Sequence, residues 1–353
     1  MPTSKSGVSS SALRSRHHVT AILVVHNGSE WLPEVVVALT SQKHAIDNLI
    51  AVDTGSTDKS LQYLKKAGIK YLQAPSDTGF GAAIDLALES DLIKAGETSK
   101  TPWLWLLHDD LAPKSDALLE LLAAIDEKPQ VALVGPKLRG WYDRNHLLEV
   151  GVSIASNGAR WTGLEYLEQD QGQHDGASEV LSVSTAGALL RREVFDEVGR
   201  FDPELSLFRD DVDLGWRIHT AGHSVIVAPN AIAFHAEAAA NERREIDVSN
   251  AFLHRPLLLD RRHAAYVLMA NSSIWLLPLI ALQLLSSAIL RSIGYLLAKR
   301  PGYALDEIAA VAFVLAQPQD LARARKARKA VRLLSSRIIS RFVPPRGSQI
   351  ALS

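Results

Sequence analysis

The residues of this chain best placed to do chemistry are His108, Asp109 and Asp110, which close the apolar run Trp103-Leu104-Trp105-Leu106-Leu107. Apolar residues this dense read as a buried parallel strand, and the acidic pair falls where that strand leaves its sheet. In open α/β sheets the carboxyl edge is where ligands bind. Carboxylates gathered there repel one another unless a cation or a proton intervenes, which points to a divalent metal with a phosphorylated ligand. The competing reading is an acidic cap on the next helix, which Pro113-Lys114-Ser115-Asp116 would open.

The elements needed to hold such a site are legible on both sides of it. Residues 19–25 form a β-branched run ending at His26-Asn27-Gly28, with a helical stretch from about residue 30 to 41. Residues 49–52 make a second strand ending at Asp53-Thr54-Gly55-Ser56-Thr57-Asp58, where Ser56 or Thr57 can cap the next helix. A third strand covers 69–72, and the helix after Asp77-Thr78-Gly79-Phe80-Gly81 runs to about residue 95. Residues 103–107 and 131–134 are the fourth and fifth strands. This alternation predicts an α/β fold with a doubly wound, mostly parallel sheet and right-handed crossovers. His26, Asp53, Asp77, Asp109 and Asp110 then collect along one rim as an acidic, glycine-containing cleft.

Residues 138–178 are polar, glycine-rich and weakly patterned, either a β-hairpin insertion or a flexible acceptor loop. Order returns at 180–183 and 187–192. The acidic run Asp210-Asp211-Val212-Asp213 opens a helix carrying Trp216, and 224–228 and 231–234 read as two closing strands, the second ending at His235.

Composition limits the alternatives. The chain of 353 residues has no cysteine, which excludes disulfides, thiolate metal sites and a cysteine nucleophile and fits a reducing compartment. The net charge of −1 hides an asymmetry: residues 321–353 carry nine Lys/Arg and no Asp/Glu, leaving 29 basic against 39 acidic groups before them. An acidic body with a basic tail fits an anionic membrane surface rather than nucleic acid. The Ser/Thr-rich start, with Arg14, Arg16, His17 and His18, lacks the apolar core of a secretory signal, and residues 1–17 read as disordered.

Beyond a linker at 241–263 the composition shifts. Residues 264–290 hold no charge across 27 positions, enough to cross a hydrocarbon core that needs roughly 20 residues. Asn271, Ser272, Ser273, Pro278 and Gln283 leave a re-entrant or surface-lying helical pair as the competitor. A second apolar stretch at 308–316 is too short to span alone, so 264–317 reads as membrane-associated helix. In the tail, 318–353, Ala327, Val331, Leu334 and Ile338 recur at helical spacing among Arg325, Lys326, Arg328, Lys329 and Arg332. This fits a basic interfacial helix or a solvated charged one. A single span would put the tail opposite the α/β body, against the positive-inside tendency, whereas a re-entrant hairpin keeps both on the cytoplasmic face of the cell membrane.

No Gly-x-Gly-x-x-Gly follows the first strand, and there is neither a phosphate-binding Gly-x-x-x-x-Gly-Lys-Ser/Thr nor a Gly-x-Ser-x-Gly elbow. An acidic cleft with a second carboxylate cluster downstream suits a reaction in which a metal neutralises a departing diphosphate while a carboxylate deprotonates an incoming hydroxyl. Residues 18–235, about 60% of the chain, resemble the catalytic domain of inverting family 2 glycosyltransferases, a GT-A fold. The resemblance lies in Val52-Asp53-Thr54-Gly55-Ser56-Thr57-Asp58, in Asp77-Thr78-Gly79-Phe80-Gly81, and in Gly187–Arg192, Gly199-Arg200-Phe201-Asp202, Asp210–Leu214 and the terminal His235, all in the family's order.

The resemblance implies a role for each matching position. Asp211 would be the general base toward the acceptor hydroxyl, with Asp210 in place of the pair's glutamate. Asp53 would bind the nucleotide base or ribose, and Asp77, Gly79, His26 and Asn27 would line the same pocket. Asp110 would bind the metal, Mn²⁺ or Mg²⁺, with His235 completing the site. His108 stands where the family's Asp-x-Asp motif has its first carboxylate, and Asp109 would face the sugar or ribose. Trp216 would wall the acceptor site. The implied partners are a nucleotide-diphosphate sugar donor and a glycan or lipid-linked acceptor of the cell envelope. A nucleotidyltransferase of similar fold, or a non-catalytic, membrane-attached sugar-nucleotide-binding protein, are the alternatives.

Overall fold

The computed structural model describes residues 10–93, 99–126, 128–176, 179–237 and 255–344. The chain opens with α1 (Ser10–Arg16) and β1 (His17–Val25), then alternates through α2 (Leu32–Thr40), β2 (Asn48–Asp53), α3 (Ser60–Lys66), β3 (Lys70–Gln73), α4 (Phe80–Leu88) and β4 (Thr101–His108). The strands β3, β2, β1 and β4 pair side by side in parallel, as connections through helices require. After β4 the pattern changes. β5 (Leu111–Pro113), α5 (Ala117–Ile125), β6 (Val131–Gly140), β7 (Leu147–Glu149), a small hairpin of β8 (Ser153–Ile154) and β9 (Arg160–Trp161), and β10 (Leu189–Arg191) follow. Then come α6 (Arg192–Glu197), α7 (Asp210–Thr220) and β11 (Ser224–His235). The main sheet has the order β3-β2-β1-β4-β10-β6-β11-β5, with β7 also on β6; β10 runs antiparallel between β4 and β6.

The two-residue side-chain period of the strands divides the core. Val19, Ala21, Leu23 and Val25 of β1, with Trp103, Trp105 and Leu107 of β4, pack on one face with α2 and α5. Ile22, Leu104 and Leu106 face the other way, against α4, α6 and α7. This is why the apolar run before His108 has no polar interruption: β4 lies mid-sheet with both faces covered.

Several sequence expectations are corrected here. Residues 10–16 of the segment read as disordered form α1, with Leu13 fully buried against the first core face; residues 1–9 lie outside the described residues. Asp109 and Asp110 do not cap a helix, because β5 intervenes before α5 begins at Ala117. The two closing strands are one, β11, with a register shift between Ala228 and Ile232 where Pro229 removes a ladder donor. The helix after Gly79 stops at Leu88 rather than near residue 95.

The largest correction concerns the uncharged stretch 264–290. Its first part belongs to α8 (Pro256–Asn271), whose residues 263–271 are buried in a third core with Val212 and Trp216 of α7. It is uncharged because it is core. The linker expected at 241–263 therefore ends inside α8, and residues 241–254 lie outside the described residues. The helix breaks at Ser272-Ser273, and the segment long and apolar enough to cross a membrane is Ile274–Leu297, containing α9 (Leu277–Leu297). α10 (Pro301–Leu315) returns against α8 and α9, and α11 (Pro318–Val331) packs on α8 and α7.

Nor is the basic tail a free surface helix. Arg328 is 4% exposed and donates to Asp213, Asp202 and Asn271, while Arg325 donates to the carbonyls of Met269 and Ser272. Farther on, Phe342 accepts a hydrogen bond from Ser153 Oγ at 2.6 Å.

Candidate active site

The carboxyl ends of β1, β2 and β4 and the end of β11 meet on one rim. At β2, Asp53 is fully buried; one oxygen accepts from Ser56 N at 3.2 Å and Oδ1 has no hydrogen-bond partner among the described residues. A buried carboxylate oxygen left without a donor is costly unless a ligand supplies one. His26 and Asn27 close the same turn. His26 Nδ1 lies 2.8 Å from the Thr54 carbonyl, and Asn27, at φ 49°, accepts from Thr57 N and donates its backbone N–H to Ser56. Asp77 is exposed on the neighbouring turn. Gly79 is where the loop of Ser206 passes: a Cβ there would sit 2.8 Å from the Ser206 carbonyl oxygen.

Asp109 does not face the cleft as expected. It is 1% exposed, accepts from His26 N at 2.7 Å, and fills the space beside Gly28, where a Cβ would lie 2.3 Å from its carboxylate. Its role in the fold is to tie β4 to the turn after β1.

Asp110, His108 and His235 come together at the rim, including His108, which departs from the family's motif. Each offers one ligand atom, and the three atoms lie within 4.8 Å of one another, close enough to share one cation. His235 Nε2 is 3.2 Å from Asp110 Oδ1, and β11 pairing with β5 brings it there, since His235 stands opposite Leu111. Burial alone would lower the His235 pKa; the adjacent Asp110 carboxylate outweighs it and holds the imidazole above its ordinary value. His108 Nε2 is 3.1 Å from Thr185 Oγ1, and its ring packs 4.8 Å from Phe80. Two imidazoles and one carboxylate form a donor set that can hold a divalent transition metal and is less suited to Mg²⁺, which takes oxygen ligands.

The second cluster is built on the first turn of α7. Phe208 and Arg209 both adopt left-handed backbone (φ 63° and 65°), an unfavourable conformation for side chains of their size. The bidentate pair of Arg209 with Asp260 of α8 fixes this kink. The chain can pass so close because α7 has Gly215: a Cβ there would meet the Leu181 carbonyl at 2.3 Å. Asp211 Oδ2 accepts from Arg160 Nη2 at 2.7 Å, and Oδ1 from Val212 N. Arg160 also donates twice to Glu149 Oε1, at 3.0 and 2.8 Å. Asp210 is held well above the usual carboxylate range, first by burial and then by the neighbouring Asp211 charge.

Trp216 is not an acceptor wall. It is 4% exposed in the core between α7 and α8. Conversely, sequence reasoning passed over Glu149, Arg160, Arg209 and Thr185. The first two lie in the weakly patterned insertion, and only its return to β6 through β7 brings them to the cleft.

The rim, the ligand triad and the acidic helix start define a glycosyltransferase of the GT-A fold class. Residues 17–248 match the family described as "Glycosyltransferase like family 2", and the chain belongs to it. It is 24% identical over 238 residues to N-acetylglucosaminyl-diphospho-decaprenol L-rhamnosyltransferase of Mycobacterium tuberculosis, covering 63% of this chain and 77% of that one. It is 27% identical over 164 residues to the O-antigen biosynthesis protein RfbC of Myxococcus xanthus, covering 44% of this chain but only 13% of that much longer protein. A similar match covers 17% of the uncharacterized protein y4gI of Sinorhizobium fredii. Among solved structures, S. aureus TarS 1-349 shares the fold at TM-score 0.50 and 16% identity, over 89% of this chain and 90% of that one. GalNAc-T7, solved with UDP, GalNAc and Mn²⁺, does so at TM-score 0.50 and 15% identity, over 62% of this chain and 43% of that one.

Proposed function

We propose that the chain is a metal-dependent inverting glycosyltransferase that moves a sugar from a nucleotide-diphosphate donor to a hydroxyl of a cell-envelope, lipid-linked glycan. The observation carrying this reading is the placement of a three-ligand cation site and a separate, fixed carboxylate on the same rim. Asp110, His108 and His235 would hold the divalent cation, Mn²⁺ in preference to Mg²⁺, and when bound it would offset the negative charge of the departing diphosphate. Asp53 Oδ1 is the acceptor for an N–H of the nucleotide base. Asp211 takes the proton of the acceptor hydroxyl as its oxygen attacks the anomeric carbon from the face opposite the diphosphate, inverting the configuration in one step. Arg160 and the Val212 N–H orient the Asp211 carboxylate for that transfer. The lipid-linked acceptor is supported by the named activity of the mycobacterial relative.

Membrane attachment fits the same reading, through a hairpin rather than a single crossing. α8 and α11 both pack on the catalytic body, so the chain that leaves through α9 returns through α10. α10 has 15 residues, about 22 Å of helix against a hydrocarbon core of about 30 Å. Its Glu307 is fully buried between Arg261 and Arg291. These features suit insertion into one leaflet from the cytoplasmic face, with Trp275, Leu279, Leu282, Leu290 and Leu297 as exposed apolar contacts.

Asp211→Asn tests the assignment. Sugar transfer to any accepted acceptor is expected to fall by about 10²–10⁴, the contribution of a general base. Calorimetric binding of the donor with Mn²⁺ should change by less than about threefold, well under one power of ten in Kd. Near-normal turnover would exclude Asp211 as the base.

A further inference from the structure

We propose that Glu149, braced by Arg160, is the specificity-determining contact for a hydroxyl of the sugar being transferred; this rests on the glycosyltransferase reading above. Glu149 closes β7 and is 8% exposed. Both hydrogen bonds from Arg160 go to the same oxygen, Oε1, while the buried Oε2 has no hydrogen-bond partner among the described residues. An ionised carboxylate oxygen only accepts, so what it lacks is a donor such as a sugar O–H. It lines a shallow cleft with Pro136, Leu138, Gly151, Val183, Ser184 and Ala186.

The position of this cleft selects the ligand group. Thr185, beside Ser184, is bonded to His108 of the cation triad, and Arg160 Nη2 donates both to Glu149 Oε1 and to Asp211 Oδ2. The cleft therefore connects the site of the diphosphate with the site of the acceptor hydroxyl. A ring undergoing in-line displacement has its anomeric carbon between those two groups. One of its hydroxyls is then placed to donate to Oε2. Arg160 shares its charge between Glu149 and Asp211, which couples sugar recognition to the placement of the base.

The test is calorimetry on the full-length protein in detergent with Mn²⁺, titrating UDP-, GDP- and dTDP-linked hexoses and deoxyhexoses and, separately, the parent nucleoside diphosphates. Glu149→Gln keeps the volume, and Glu149→Asp keeps the charge but shortens the reach. Both are expected to weaken the accepted nucleotide sugar ten- to a hundredfold, the usual value of a hydrogen bond to a charged group, and to leave the parent diphosphate within twofold. A donor analogue lacking the contacted hydroxyl should bind wild type and variants alike. Equal loss for sugar and diphosphate would mean that Glu149 acts only through the fold and would overturn the proposal. So would unchanged donor affinity, including a case where only the acceptor KM rises. Failure of the wild-type protein to bind any nucleotide sugar would instead remove the glycosyltransferase reading, and this appears before any substitution is made.

Discussion

Replacing Arg328 by Met should destabilise the catalytic body even though the residue lies more than a hundred positions after Asp211. Arg328 Nη2 is 2.6 Å from Asp213 Oδ1 and 2.7 Å from Asp202 Oδ2, in a site where Asp213 is fully buried and Arg328 is 4% exposed. Removing one partner of a buried ion pair costs about 3–5 kcal/mol, because the other charge remains desolvated. Asp213 would still keep Arg217 at 2.8 Å and Asn271 Nδ2 at 2.7 Å, so the lower end, about 3 kcal/mol, is expected. Met retains much of the stem, which limits any cavity contribution. At about 2–4 °C per kcal/mol for a domain of this size, the midpoint should fall by roughly 6–12 °C. Lys329→Met, one residue on and exposed, is the control and should stay within about 0.5 kcal/mol. Near-UV circular dichroism melts on the full-length protein in detergent read both. Equal melting of the two variants would refute the view that α11 is part of the catalytic body.

The same pair has an acid signature. Burial pushes the Asp213 pKa up, but Arg328 and Arg217 prevail and hold it at about 2, below its ordinary 3.8. A depressed carboxylate contributes stability that is complete above its unfolded pKa and is lost as the pH falls through the folded one. The cost of Arg328→Met should therefore be largest above pH 4 and shrink as the pH approaches 2.

The other predictions concern the rim and the hairpin. Asp110→Ala and His235→Ala should each abolish the Mn²⁺ dependence of donor binding, measured by calorimetry with and without metal; an unchanged Mn²⁺ response would exclude the triad. Asp210 has the opposite linkage sign, since burial and Asp211 raise its pKa from 3.8. Its penalty is absent below the unfolded pKa and complete above the folded one, so Asp210→Asn should raise the melting midpoint at pH 8, with a gain that vanishes near pH 4. A pH-independent gain would contradict this account. Vesicles containing anionic lipid should float with the wild-type protein, and Leu282→Glu with Leu290→Glu should reduce that binding at least tenfold; unaltered flotation would exclude α9 as the attachment surface.

Local pattern made much of this protein legible from its residues alone. Alternation of β-branched runs with helical stretches located β1, β2, β3, β4 and β6, though not the short β5, and abrupt polar endings located the rim. Such signals are short-range: they reflect which faces of one strand or helix are buried and where its backbone must turn. His108, Asp110 and His235 could be grouped only through resemblance in their order, because the pairing of β11 with β5 that joins them spans more than a hundred residues. Glu149 and Arg160 carried no periodic signal, and long-range pairing of the insertion with β6 is what delivers them to Asp211.

The tail shows the limit in the other direction. An uncharged run reads alike whether its apolar surface meets lipid or a protein core, and a basic helix reads alike whether its arginines meet water or buried aspartates. Composition determined that residues 264–290 are uncharged and largely apolar and that the chain ends in positive charge. Only the tertiary structure decided that α8 packs against α7, that the exposed apolar surface belongs to α9, and that Arg328 is paired with Asp213. The physical reason is that burial and ion pairing depend on which distant surface arrives opposite a residue, and that is fixed by the packing of the whole chain.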